Sequence, residues 1–315
     1  MLRGAKSELS SSMTCACESV HKFPCQFPEE TEFFRITPED SREWCRFHLP
    51  LQDKNGNESI KVLWRAGGVK CRPFWEEVEN RLREASKYSS NPNSRADLRG
   101  VTFPPYFKFT GIADVIDADF ERATFSDNVC FEYTAFADFV RFSGATFGDG
   151  ANFHRATFRE YSSFWEVTFG NNANFLCAEF GKETLFNGAK FGNNSVFDCA
   201  KFADGGGFSR TTFGFIARFR GATFGDRVSF HGATFSELAQ FDSAVFGKVG
   251  HFDGASFGDD ASFAKVTFHG KACFPANEAW SSNIGFPHMD FSGATFNGSC
   301  SFVNRDFVSG ANFNS

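Results

Sequence analysis

From Phe120 to Phe274 a phenylalanine recurs at alternating intervals of five and six residues. The series runs Phe120, Phe125, Phe131, Phe136, Phe142, Phe147, Phe153 and onward to Phe263, Phe268 and Phe274, with no slot taken by another residue. A fixed short period of this kind marks a repeat architecture and overrides the two or three domains that 315 residues would otherwise suggest. Two residues before each Phe sits a small residue, mostly Ala. In an extended chain residues i and i−2 face the same way, so Phe147 and Ala145 point inward and Thr146 points out. Phe supplies 46 residues, a bias that belongs to a repeated slot rather than to a mixed core.

The same count extends backward through Phe109 and Phe103 to Leu98, broken only at Asp114. A buried carboxylate there would need a partner. A local slip, with Ile112 and Val115 holding the core, is the expected solution. The repeat therefore opens near Ala96. Its first unit, Ala96-Asp97-Leu98-Arg99-Gly100, has a small residue, a polar residue, then Leu or Phe, then two polar or small residues. This resembles the pentapeptide-repeat proteins, and most of all their Phe-rich branch, in which every second unit carries an extra residue. The resemblance covers about residues 96–315. It implies an all-β solenoid, a right-handed quadrilateral parallel β-helix with four units per coil, hence about 22 residues per coil and about nine coils.

Coils stacked about 4.8 Å apart would place Phe over Phe, with stability summed between neighbours along the axis. Cys177 and Cys199, 22 residues apart, are then expected one above the other, within disulfide reach but reduced. The extra residue falls in intervals such as Gly148-Asp149-Gly150, Gly170-Asn171-Asn172 and Gly181-Lys182-Glu183, where turn-forming residues should let it bulge at a corner. After Phe274 the ladder stops for Pro275–Gly285 and resumes at Phe286, Phe291 and Phe296. The interval of twelve reads as a loop that replaces one unit, either a contact site or a neutral excursion. In the family the C-terminal coils often pack together, which implies a homodimer here.

Ahead of the repeat, residues 1–12 read as a polar disordered tail, with Met13 as an alternative start, and residues 13–95 as a small α/β cap. Cys45 and His48 have the spacing by which one short turn presents two ligands, and Cys25 with Cys17 (or Cys15 in its place) would complete a structural zinc site. The alternative is free cysteines scattered over the cap. Ser59 to Trp64 reads as a strand. Pro73 to Lys87 reads as a helix with Trp75, Val78 and Leu82 on its apolar side. Ser89 to Ser94 reads as a loop.

A net charge of −6 gives no basic footprint for direct nucleic-acid binding. No apolar run is long enough for a membrane span, and residues 1–20 lack a signal-peptide core. Ten cysteines spread over this length suit a reducing cytoplasm better than a secreted disulfide framework. His154, His231, His251 and His269 adjoin ladder Phe residues and so point outward, where solvated surface histidines are expected. Thr146, Thr168, Thr212 and Thr234 read as a surface ladder interrupted by Lys190. Nothing in the sequence assembles a nucleophile, base and oxyanion donor, so a non-enzymatic interaction or scaffold solenoid, its protein partner unknown, is the first expectation. The second is a DNA mimic that inhibits a DNA-handling enzyme such as a topoisomerase. Residues 96–315 carry 24 acidic against 17 basic side chains, with Arg220 set between Asp198 and Asp242. A continuous acidic stripe would favour mimicry; a patchwork of signs would oppose it.

Overall fold

The computed structural model describes residues 33–34, 44–45, 47–50, 61, 72–87, 95–112, 115–275, 288–303 and 311–314. Two-residue strands recur every 22 residues and pair in parallel with the equivalent strand of the next coil, as in Thr146↔Thr168 and Phe147↔Phe169. Two non-adjacent faces of the coil carry eight-stranded ladders. One runs from Thr102–Phe103 to Ser256–Phe257, the other from Ala135–Phe136 to Thr295–Phe296. The two faces between them are held through most of their length by single bridges, such as Cys130↔Asn152↔Asn174 and Arg141↔Ser163↔Leu185. The result is a parallel β-solenoid of about eight turns, close to the nine expected.

Alternation explains the pattern. Thr146, Thr157 and Thr168 are exposed while the Phe that follows each is buried. Equivalent rings lie nearly coplanar in columns: Phe175 over Phe197 at 4.8 Å and 1°, Phe197 over Phe219 at 4.9 Å and 3°. Rings on neighbouring faces meet edge to face, as Phe197 does with Phe208 at 87°. Both arrangements are those a ring quadrupole favours. The small slot two residues before each Phe holds Ala145, Ala151 and Ala156, all fully buried. Where it holds a hydroxyl, the group can turn back on its own corner, as Ser162 does to the Arg159 carbonyl (3.0 Å) and Thr184 to that of Gly181 (2.9 Å).

The six-residue intervals form corners stitched by side-chain acceptors. Asp127 Oδ1 accepts from the Asp149 backbone N–H, Asp149 from that of Asn171, Asn171 from that of Asn193, and Asn193 from that of Phe215. The two glycines of Gly148-Asp149-Gly150 serve different needs. Gly150 has φ +71°, whereas a Cβ on Gly148 would lie 2.7 Å from the Asp127 nitrogen in the coil below. Positive φ therefore accounts for only one of them; close approach of coils accounts for the other.

Two expectations about breaks in the ladder need correction. At the first irregular coil it is Ile116, not Val115, that takes the core position: Ile116 is buried and bridges Phe136, Ile112 is buried beside it, and Val115 is half-exposed. Asp114 lies outside the described residues. The segment after Phe274 also does not replace a unit. Phe263 stacks on Phe291 (5.2 Å), Phe268 on Phe296 (5.2 Å) and Phe274 on Phe302 (5.0 Å). Only one slot thus separates Phe274 from Phe291. One coil is lengthened, with partners 28 apart in sequence instead of 22, and the columns continue through it; residues 276–287 themselves lie outside the described residues.

In the N-terminal region Phe33–Phe34 pairs antiparallel with Trp44–Cys45, and helix α1 spans Arg72–Lys87. Its buried face is Phe74, Val78, Leu82 and Ala85. Trp75, expected on that face, is half-buried at its margin, with its ring 4.3 Å from Phe107 and its Nε1 donating to Glu79. The helix covers the first coil through Phe74, whose ring meets Phe103 at 5.8 Å and Phe107 at 5.7 Å. Phe107 stands in an inward slot that later coils fill with Val129, Ala151 and Ala173, so the helix has a large ring to pack on. The strand expected over Ser59–Trp64 and the loop over Ser89–Ser94 lie outside the described residues, Lys61 excepted.

Candidate functional site

Three places concentrate polar groups. The first is the joint between cap and rod. His48 is buried there, its Nε2 3.3 Å from the Arg99 carbonyl oxygen. Lys61 is fully buried, donates to the Phe47 carbonyl at 2.8 Å and holds its ammonium 4.9 Å from the Phe74 ring centre. The Phe47 carbonyl also accepts the Thr102 N–H (2.8 Å), which ties the cap to the first coil. Of the expected zinc ligands, His48 stands at this joint and Cys45 ends a strand; Cys15, Cys17 and Cys25 lie outside the described residues.

Charged groups run along the rod in the second place. Arg95 Nε donates to the buried Asp117 carboxylate at 2.7 Å, and its Nη2 to the Asp138 carbonyl at 3.0 Å. Above them Arg141 reaches down to Asp119 at 2.5 Å. Burial still leaves the Asp119 carboxyl above its ordinary range, against the pull of the Glu121 N–H and the Arg141 charge. Further along, Lys201 pairs with Glu179 (2.8 Å), Arg220 with Asp198 (2.6 Å) and Lys248 with Asp226 (2.7 Å), each one coil above its partner. Lys248 donates to Asp226 through its side chain and its backbone N–H, and so holds that carboxyl below its ordinary range. Asp119, Glu179, Asp198 and Asp226 are each answered by a cation 22 residues on.

Cysteine and histidine positions make up the third. Cys177 and Cys199 stand at successive corners, both with φ above 50°. Their thiols are free. Burial first, then the charge and hydrogen bond of Cys177, push the Cys199 thiol up, which fits the expected stacking. Not every histidine is simply solvated. His154 Nδ1 lies 3.0 Å from Glu132 Oε1, one coil below. His251 ends the strand Val249–His251 and pairs in register with Cys273 of the strand Lys271–Cys273. Its Nδ1 is 3.1 Å from Asp253 Oδ2, and one donor atom from each of His251, Asp253 and Cys273 falls within 4.8 Å of the other two. Burial and the Asp253 charge raise the Cys273 thiol above its ordinary range, partly offset by Lys271. The same 22-residue arithmetic that stacks Cys177 on Cys199 stacks His251 under Cys273.

No protein-family model matches this chain, and no curated protein matches it. The class of the molecule rests on its geometry: a parallel β-solenoid whose interior is filled by columns of phenylalanine. Among the described residues no helix is long and apolar enough to cross a membrane.

Proposed function

We propose that the chain is a non-enzymatic interaction or scaffold solenoid of the pentapeptide-repeat type, cytoplasmic, acting through an unidentified protein partner. The observation that carries this reading is the division of labour along each side of the coil. Inward positions are taken by stacked rings and small residues, which leaves variation to outward side chains and corners. A repeat of this kind presents an extended surface that neighbouring coils hold rigid. Recognition is assigned to one of the two irregular places, the N-terminal cap or the segment Pro275–Gly285, with a structural zinc on Cys17 (or Cys15), Cys25, Cys45 and His48 holding the cap.

The alternation of Asp119, Glu179, Asp198 and Asp226 with Arg141, Lys201, Arg220 and Lys248 weighs against DNA mimicry. The two readings separate by experiment. Immobilised full-length chain should retain a protein from its own cell extract that is lost when residues 276–281 are deleted to restore a 22-residue coil, or when Cys45→Ser removes a zinc ligand. Inhibition of a topoisomerase at near-stoichiometric chain, undiminished in both variants, would replace this reading with mimicry.

Self-association is proposed at the far coils, where Phe313 stacks on Phe291 at 5.1 Å yet stays half-exposed and Val303 is exposed. Light scattering should give twice the 35.1 kDa chain mass, falling to the single mass in Phe313→Asp. A wild-type chain monomeric at all concentrations tested would remove this part of the proposal.

A further inference from the structure

We propose that His251, Asp253 and Cys273 form a binding site for a divalent transition metal, zinc above all, on the face of the rod from which the Pro275–Gly285 segment departs. The site is separate from the cap and independent of the reading given above. Parallel register makes His251 and Cys273 direct cross-strand partners, with backbones one strand spacing apart. Asp253 follows His251 by two residues at the adjoining corner, and its carboxylate already lies 3.1 Å from the imidazole nitrogen. Each of the three contributes a donor atom within 4.8 Å of the others. Tetrahedral zinc with bonds of about 2.0–2.3 Å holds its ligands about 3.3–3.8 Å apart, so closing the site asks for a movement of about 1 Å by side chains.

The donor set selects the metal. Imidazole and thiolate favour zinc and the later first-row ions over magnesium or calcium, whose preference is for oxygen alone. Three protein donors leave a fourth position for water or for a group carried by a partner. Cys300 is not part of the set. It lies in register with Ala272 and not with Cys273. Lys271, two residues before Cys273, is the cation beside its sulfur. The position along the rod adds meaning. The Gly254 N–H donates to the Pro275 carbonyl at 2.8 Å, so the coil that carries His251 and Asp253 is tied to the root of the long segment. A metal bound here would clamp two coils where that segment leaves them.

The test is cobalt and zinc titration of the full chain under reducing conditions, read by the near-ultraviolet cobalt–thiolate band and by metal per chain. Wild type should bind one equivalent that His251→Ala loses, with at least a tenfold weaker affinity there and a diminished thiolate band. That equivalent should persist in Cys45→Ser, which separates it from any metal in the cap. His251 is partly exposed, so its removal leaves the coil's packing in place; an unchanged circular dichroism melt verifies this. Cys273→Ser is the second variant, since its loss of the band identifies the sulfur. Equal stoichiometry and an equal band in wild type and His251→Ala would overturn the proposal, as would loss of the equivalent in Cys45→Ser.

Discussion

Phe197→Ala should cost the rod about 4 kcal/mol, the usual range for truncating a fully buried Phe. Its ring is completely buried and sandwiched in its column between Phe175 and Phe219, while Phe186 and Phe208 meet it edge-on. Truncation removes both stacking partners' contacts and leaves a void that the rigid corners cannot close. Neighbouring coils supply each other's stability in a solenoid, so the loss falls on the two interfaces flanking this coil. Chemical denaturation should therefore show a lowered midpoint and a transition that begins to split in two. Phe296→Ala, at a partly buried position, is the comparison and should cost clearly less. A Phe197→Ala rod within about 1 kcal/mol of wild type would mean that the columns do not carry the stability assigned to them.

Arg95→Met is expected to cost about 3 kcal/mol although it removes a polar group and adds an apolar one. The Asp117 carboxylate is 2 % exposed and Arg95 is its ion-pair partner at 2.7 Å. Removing one member of a buried pair leaves the other charged and desolvated, and that penalty exceeds what the methionine gains. The same substitution also releases the Asp138 carbonyl, which accepts from Arg95 at 3.0 Å. Adding Asp117→Asn should recover part of the loss, because an amide costs less to bury than a carboxylate. Equilibrium unfolding of the single and double variants gives the coupling directly. Additive losses in the two would show that the pair is not coupled.

Much of the rod was legible because its period is strict. Alternation of side-chain direction sorted Phe147 and Ala145 from Thr146, and the spacing predicted Phe-on-Phe columns and the Cys177–Cys199 stack. The failures came where the period broke. An interval of twelve is compatible with a lost unit or an enlarged one, and only the stacking of Phe263 on Phe291 distinguishes them. Val115 and Ile116 are equally apolar, and which one turns inward is set by the pairing with Phe136. On the helix, Trp75 and Phe74 are adjacent, and the first coil's Phe103 and Phe107 decide which is buried. The His251–Asp253–Cys273 cluster was missed for a different reason. Its members are ordinary one at a time and gain significance only when residues of unlike type are compared across coils.

The enlarged coil has a consequence for how such a chain can change over time. Six extra residues fall between Phe274 and Phe291, and the three columns described across them resume with ring spacings of 5.0–5.2 Å. Stacked rings and parallel backbone pairing keep pitch and register across the longer coil, so its length can differ without disturbing the turns on either side. A molecule built this way can acquire, lose or exchange an appendage in a single insertion or deletion and keep its axis, with no compensating change elsewhere in the sequence.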